Sequence, residues 1–251
     1  MEHKFKIWRG NSKEGEFKTY NIKLEQGMVV LDAIHRIQTQ HAGDLAARWN
    51  CKAGKCGSCS MEINGRPQLA CMTRMNEFSE DELITVQPLK AFPVIKDLVT
   101  DVSWNYKQNK RILPFSPDKK QKGKDRVMYQ RDVERIQEFR KCIECYLCQD
   151  VCHVLRDQGK KENFVGPRFM IRLASLEMHP LDMEDRIPKI KNEFGSGMCN
   201  ITRCCTDVCP EGIQITDNGI IPIKERVVDR FYDPVMWIYQ KLFGNERAKQ
   251  E

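Results

Sequence analysis

Apolar and polar residues alternate with a period of two near the start of the chain, in "HKFKIWR" and "FKTYNIKL", and Gly15 lies between the two segments. This pattern predicts a β-hairpin. In residues 28–40, Val30, Ile34 and Ile37 fall on one face of a helix. The start of the chain is therefore predicted to contain two paired strands followed by an amphipathic helix.

A second hairpin is predicted at Asn64-Gly65 in "MEINGRP", because an Asn-Gly pair favours the tight turn between two antiparallel strands. The segment "ELITVQPL" predicts a last strand. These segments together predict a small sheet with one helix laid across it, within about ninety residues. A cysteine loop lies between the helix and the second hairpin.

The apolar spacing becomes helical in the second half of the chain. The residues with this spacing are Val133, Ile136, Phe139, Phe169, Leu173 and Leu176. Pro167 stands before the last three, and proline suits the first turn of a helix. We predict an α+β protein with a mixed β domain at residues 1–105, a basic linker at 106–126 and an all-α domain at 127–251.

Composition limits the class of protein. The chain has 251 residues, which is enough for two domains, and 30% of them are charged, with a mean hydropathy of -0.57. No apolar run approaches the roughly 18 residues that span a bilayer, and the N-terminus lacks the apolar core of an export signal. We expect a chain that is soluble by itself and is not exported.

The net charge of +6 is concentrated in Lys107–Arg126, where eight Lys and Arg residues face two Asp residues. Such a run is typical of a solvated linker. The alternatives are a surface for an acidic partner, for anionic lipid or for nucleic acid.

Twelve cysteines fall in three short windows, a distribution that favours metal ligation over disulfides and a reducing compartment such as the cytoplasm. The first window, which we name the N-terminal cysteine loop, contains Cys51, Cys56, Cys59 and, after the hairpin, Cys71. Its C-x₄-C-x₂-C spacing with a later fourth cysteine is the plant-type pattern for a [2Fe-2S] cluster. A structural Cys₄ zinc site is the alternative, although it generally uses two CxxC pairs.

The second window, the first ferredoxin run, is "CIECYLCQDVC" and contains Cys142, Cys145, Cys148 and Cys152. This is a complete C-x₂-C-x₂-C-x₃-C pattern. In two-cluster ferredoxins the fourth cysteine of each run ligates the cluster of the other run. His153 follows Cys152 where the ferredoxin pattern has proline, and it either contacts a cluster or caps a helix.

The third window, the second ferredoxin run, is "CNITRCCTDVC", with Cys199, Cys205 and Cys209 in the same register and Thr202 in the place of the second cysteine. The exchange rule predicts two ligand sets. Cys142, Cys145, Cys148 and Cys209 would hold a [4Fe-4S] cluster, and Cys152, Cys199 and Cys205 a [3Fe-4S] cluster.

Two points in the second ferredoxin run stay open. Water or the Thr202 hydroxyl would serve a fourth, labile iron if the site is not a three-iron site. Cys204 is either a small buried thiol or a further ligand.

The sequence resembles the iron-sulfur subunit of succinate dehydrogenase and fumarate reductase (succinate:quinone oxidoreductase) over roughly residues 3–225. The segments that carry the resemblance are "CGSC", "NGRPQLAC", "PVIKDLV", "CIECYLC", "GPRFMIRLASL" and "CTDVCPEGI". The resemblance implies a β-grasp [2Fe-2S] domain followed by a helical two-cluster domain.

The same resemblance implies function. An FAD-containing flavoprotein subunit would deliver electrons from succinate through [2Fe-2S], [4Fe-4S] and [3Fe-4S] clusters toward quinone near the last cluster, in a membrane anchor subunit. The chain would be peripheral, on the cytoplasmic side of the inner membrane, within the respiratory chain and the tricarboxylic acid cycle. No catalytic residue is predicted here, because the dicarboxylate chemistry belongs to the flavoprotein. Fumarate reduction is the alternative direction.

Three residues depart from the family pattern. His153, Asp157 and Asn200 occupy places where members that reduce quinone beside the three-iron cluster commonly have other residues, and no tryptophan stands in this window. We therefore expect quinone to bind elsewhere in the anchor, with a further redox centre between. The C-terminal Trp237 and Tyr239 either pack on their own domain or lie at the membrane headgroups.

The same residues allow two rival functions. One is a zinc-stapled nucleic-acid-binding module that uses the basic run for phosphates, although no nucleic acid partner is expected. The other is a free two-domain ferredoxin shuttle, which would copurify with neither a flavoprotein nor a membrane subunit.

Overall fold

The computed structural model describes residues 2–25, 27–79, 81–118 and 125–243. In its first half, one mixed sheet has the strand order β2-β1-β5-β3-β4. The strands are β1 (Glu2–Gly10), β2 (Gly15–Lys23), β3 (Ser60–Ile63), β4 (Arg66–Leu69) and β5 (Leu83–Gln87). β1 and β5 run parallel, and the other pairs are antiparallel.

One helix, α1 (Val30–Gln40), buries Val30, Ile34 and Ile37 in a core that it shares with the sheet, as the apolar spacing predicts. The Asn64-Gly65 turn joins β3 to β4, and both residues have positive φ, 47° and 76°. Two positive φ angles are what a type I′ hairpin requires. The predicted sheet, helix and hairpins are confirmed.

A small ribbon leads from the sheet into the helical half. It consists of β6 (Val94–Lys96) and β7 (Val99–Thr100). The helices that follow are α2 (Ser103–Arg111), α3 (Gln130–Gln137), α4 (Leu147–Asp150), α5 (His153–Arg156), α6 (Pro167–Glu177), α7 (Ile187–Asn192), α8 (Cys204–Asp207), α9 (Ile221–Phe231) and α10 (Pro234–Phe243). A π-helix at Ile215–Ile220 runs into α9, and these helices enclose a second apolar core.

The predicted linker at 106–126 is only partly described. Residues 106–111 belong to α2, where Gln108 is buried, and residues 119–124 lie outside the described residues. Between them the backbone is fastened to the helical half. Arg186 donates to the carbonyls of Leu113 and Pro114 at 2.7 and 2.8 Å. The domain boundaries stay a prediction.

The two halves meet across buried charged groups. Asp150, on α4, accepts a hydrogen bond from the backbone N–H of Ala91 at 2.8 Å and faces the fully buried Glu62 of β3. Burial, together with the Glu62 carboxyl, raises the pKa of Asp150 to about 7. Arg156 lies 3.1 Å from Glu62 and partly balances the two carboxyl groups.

The C-terminal helix α10 leaves Val235, Ile238 and Tyr239 more than half exposed. The side chain of Trp237 lies outside the described part of the structure, so the prediction for this segment stays open. None of the described helices combines the length and the apolarity needed to cross a bilayer.

Candidate functional site

The N-terminal cysteine loop turns its backbone toward its own sulfurs. Cys51 is exposed, Cys56 is half-buried, and Cys59 and Cys71 are buried. The N–H groups of Ala53 and Lys55 lie 3.4 and 3.3 Å from Cys51 Sγ, and those of Ser58 and Cys71 lie 3.5 and 3.4 Å from Cys56 Sγ and Cys59 Sγ. Such donors stabilise negative charge on cluster sulfurs.

Positive φ angles allow the backbone N–H groups of the loop to approach the cysteine sulfurs. Lys52, Gly54 and Gly57 have φ of 54°, 67° and 68°, in the region where glycine carries no steric cost. In the structure the glycines supply the turns, and the N–H groups of neighbouring residues supply the bonds.

The thiols of this loop interact with one another. Burial raises the pKa of Cys56, but hydrogen bonds involving Ser58 and Cys51 outweigh it and lower that pKa to about 6. Burial raises the pKa of Cys59 to about 12, and the neighbouring Cys71 and Cys56 add to this rise. The four cysteines therefore stand as one interacting group.

The two ferredoxin runs repeat one backbone shape. Glu144 and Tyr146, two and four residues after Cys142, have φ of 57° and 62°, and Ile201 and Arg203, at the matching distances after Cys199, have φ of 62° and 63°. The short helices α4 and α8 then begin at matching positions. Four non-glycine residues in the left-handed region indicate a turn that is dictated by the ligand arrangement.

Cysteines from both runs line one cavity. These are the four that the exchange rule assigns to one set, Cys142, Cys145, Cys148 and Cys209. Burial raises the pKa of each of the first three, and Cys209 adds to the rise in every case. Arg168 also lines this cavity, with Ile171, Ile213 and Ile215 around it.

The three cysteines of the second set, Cys152, Cys199 and Cys205, also interact with one another. Burial raises the pKa of Cys152 to about 11 and that of Cys205 to about 12, and Cys199 and Cys204 contribute to both rises. Cys204 is half-buried, and its sulfur lies 3.3 Å from the hydroxyl oxygen of the exposed Thr202. Cys204 therefore lies near the predicted three-cysteine site, and its role stays open.

The donor sets fit iron-sulfur clusters. Thiols with a raised pKa remain protonated until a cation displaces the protons, so metal binding here would release protons. In the described parts of the chain, no three His, Cys, Asp or Glu side chains converge tightly enough to hold a single metal ion. The cysteines of a cluster are shared among two or more irons, so the whole set is more widely spaced than the ligands of one ion.

Two parts of the chain match known protein families. Residues 4–107 match the family described as "2Fe-2S iron-sulfur cluster binding domain", and residues 138–213 match "4Fe-4S dicluster domain". The first match contains the N-terminal cysteine loop, and the second contains both ferredoxin runs.

The chain is also similar to individual proteins. An uncharacterized iron-sulfur protein of Methanococcus maripaludis is 31% identical over 86% of this chain. The succinate dehydrogenase iron-sulfur subunit of Paracoccus denitrificans is 29% identical over 90% of this chain and 88% of its own length. A chain of the Mycobacterium smegmatis Sdh1 complex in the apo form superimposes with a TM-score of 0.91 at 60% identity, covering 93% of this chain and 98% of that one.

The chain belongs to the succinate dehydrogenase and fumarate reductase iron-sulfur subunit family. The α+β fold class, with a [2Fe-2S] ferredoxin-like domain before a helical dicluster domain, is that of the family. This chain spans 42% of the length of the Methanococcus relative and 44% of a similar protein of Methanocaldococcus jannaschii, which is 29% identical over 91% of this chain.

Of the residues that depart from the family pattern, His153 and Asp157 follow the first ferredoxin run, and Asn200 lies in the second. His153 begins α5, and its Nε2 is buried with no hydrogen-bond partner among the described residues. Asp157 lies 3.7 Å from Arg156, and Asn200 is exposed. That quinone binds elsewhere in the anchor, away from these three residues, stays a prediction.

Sequence reasoning missed Arg168. It stands in "GPRFMIRLASL", where Pro167 indicated only the start of a helix. Only the structure shows that Arg168 is buried. Its burial indicates a specific role, because arginine is seldom buried without a partner.

Proposed function

We propose that this chain is the electron-transfer subunit of a succinate dehydrogenase. It takes electrons from an FAD-containing flavoprotein subunit and delivers them toward quinone in a membrane anchor. Support comes from the Paracoccus subunit and from the chain of the Sdh1 complex, whose full lengths this chain nearly spans. The observation that carries the proposal is the cavity lined by three cysteines of the first ferredoxin run and one of the second.

The ligand sets are those of the exchange rule. The N-terminal cysteine loop, with Cys51, Cys56, Cys59 and Cys71, holds the [2Fe-2S] cluster. Cys142, Cys145, Cys148 and Cys209 hold the [4Fe-4S] cluster, and Cys152, Cys199 and Cys205 hold the [3Fe-4S] cluster. When bound, these clusters would supply one-electron transfer in that order, at potentials set by cluster type, charge, hydrogen bonds and exposure.

The residues of this chain bury the thiols and supply N–H donors. Ala53 and Lys55 donate to Cys51, as described above.

The division into domains at 1–105, 106–126 and 127–251 is part of this proposal, as is a peripheral position on the cytoplasmic side of the membrane. Succinate oxidation is the proposed direction, since the named Paracoccus relative is a succinate dehydrogenase.

The test is purification of the intact complex under anaerobic conditions, followed by iron and sulfide analysis and EPR. The expected content of the chain is about nine iron and ten sulfide atoms. The oxidised sample should give a three-iron signal, and the dithionite-reduced sample should lose it and give [2Fe-2S] and [4Fe-4S] signals. Zinc in place of iron, or a chain purified without a flavoprotein, would contradict the proposal.

A further inference from the structure

Arg168 is a buried cation on the wall of the cavity formed by Cys142, Cys145, Cys148 and Cys209. It is 6% exposed, and it lies on α6, one position after Pro167. Its Nη2 donates to the Glu144 carboxylate. Its Nε is buried and has no hydrogen-bond partner among the described residues. One side of the guanidinium is therefore paired, and the other is left without an acceptor.

The backbone fixes Arg168 in this position. Gly166 has φ of +85°, and a Cβ there would lie 2.0 Å from Gln149 Oε1. The same Gln149 oxygen accepts a hydrogen bond from the backbone N–H of Arg168 at 3.3 Å. Because Gln149 lies on α4, directly after Cys148, the start of α6 is held against the first ferredoxin run.

An orphaned N–H on a buried cation is costly, and the cost is larger than for a neutral group. Four cysteines and Glu211 line the cavity, and the Glu211 carboxylate is paired with Lys55 at 3.1 Å. The cysteine sulfurs are therefore the acceptors that the cavity leaves for Arg168. Glu144 is about half exposed, so water screens its charge more than it screens the buried guanidinium. A net positive charge therefore remains on the cavity side.

We propose that Arg168 positions and tunes the four-iron cluster: its Nε–H donates to a cluster or cysteine sulfur, and its charge raises the cluster's reduction potential. This inference rests on the proposed function. Reduction adds one electron, which the flavoprotein side supplies, and makes the site more negative by one charge. A fixed cation stabilises that state more than the oxidised one. Arg168 acts through the cluster and is a positioning residue.

The test is an EPR-monitored redox titration of the four-iron cluster in the intact complex, with the [2Fe-2S] potential as internal standard. Arg168→Gln should shift the midpoint potential to a more negative value. Arg168→Lys keeps the charge but loses the two-sided geometry, so it should give a smaller shift. Glu144→Gln removes a negative charge and should shift the potential upward. Arg172→Gln, an exposed arginine one turn along α6, should leave it unchanged.

Opposite signs for Arg168→Gln and Glu144→Gln distinguish charge tuning from general damage. An unchanged potential in Arg168→Gln, or a shift equal to that of Arg172→Gln, would overturn the inference. If Arg168→Gln fails to assemble, unchanged potentials in both Arg168→Lys and Glu144→Gln would overturn it. A wild-type complex without the four-iron cluster would overturn the proposed function, and this inference with it.

Discussion

Gly57 and Cys145 are in direct contact: a Cβ built on Gly57 would lie 2.7 Å from Cys145 Cα. Gly57 directly follows Cys56 in the N-terminal cysteine loop, and Cys145 lies in the first ferredoxin run. The two candidate cluster loops therefore touch through backbone, with no side chain between them. A second contact joins the halves nearby, where Lys55 Nζ lies 3.1 Å from a Glu211 carboxylate oxygen.

Gly57→Ala should push these two loops apart. Gly65→Ala is the matched control, since Gly65 has a similar positive φ and nothing within 4 Å of its Cβ position. Both variants bear the roughly 1–2 kcal/mol cost of the left-handed conformation, and only Gly57→Ala adds the clash. We expect a lower thermal midpoint for Gly57→Ala than for Gly65→Ala, measured on the cluster-loaded complex. Equal midpoints would contradict the contact.

Asp150 should tolerate an amide better than truncation. Asp150→Asn keeps an acceptor for the Ala91 N–H and adds a donor toward Glu62, whereas Asp150→Ala leaves that N–H without a partner. We expect Asp150→Ala to lower the free energy of unfolding by about 1–3 kcal/mol. Asp150→Asn should match the wild type or exceed it in urea denaturation at neutral pH. Equal destabilisation by the two variants would show that the acceptor for the Ala91 N–H is not what Asp150 contributes to stability.

Arg186 should hold the segment after α2, at Leu113 and Pro114, through the fixed directions of its N–H groups as well as through its charge. Its guanidinium donates to two carbonyls and, at 2.9 Å through Nε, to Asp182, an arrangement that one ammonium group cannot reproduce. We expect Arg186→Lys to be cleaved by chymotrypsin after Phe115 several-fold faster than the wild type. The exposed-site control Arg172→Lys should match the wild type. An unchanged cleavage rate in Arg186→Lys would show that these bonds do not fasten the segment.

Thr202→Cys should supply the thiolate that the second ferredoxin run lacks. We expect the three-iron EPR signal of the oxidised complex to diminish as a fourth iron is retained. Cys204→Ser is the control in the same loop and should keep the signal if Cys204 is not a ligand. An unchanged oxidised spectrum in Thr202→Cys would count against the predicted place of the vacancy.

The local elements could be predicted because each depends on a short stretch of sequence. The face of α1 follows from Val30, Ile34 and Ile37, and the β3–β4 hairpin follows from Asn64-Gly65. The grouping of the cysteines rests on spacing and the exchange rule, because the two ferredoxin runs share one register, and it stays a prediction.

The remaining features depend on tertiary contacts. The approach of Gly57 to Cys145 joins distant parts of the chain, and nothing adjacent to either residue indicates the other. Tyr146 and Ile201 adopt left-handed backbone that their side chains disfavour, so propensity points away from the observed turn. The orphaned Nε of Arg168 becomes evident only once its burial is known.

The exchange of fourth cysteines is the central claim, and Cys152→Ala and Cys209→Ala test it most directly. The measurement is EPR of each variant complex, oxidised and then reduced. The account predicts that Cys152→Ala loses the three-iron signal and keeps the four-iron signal, and that Cys209→Ala does the reverse. Loss of the four-iron signal in Cys152→Ala, with loss of the three-iron signal in Cys209→Ala, would contradict it.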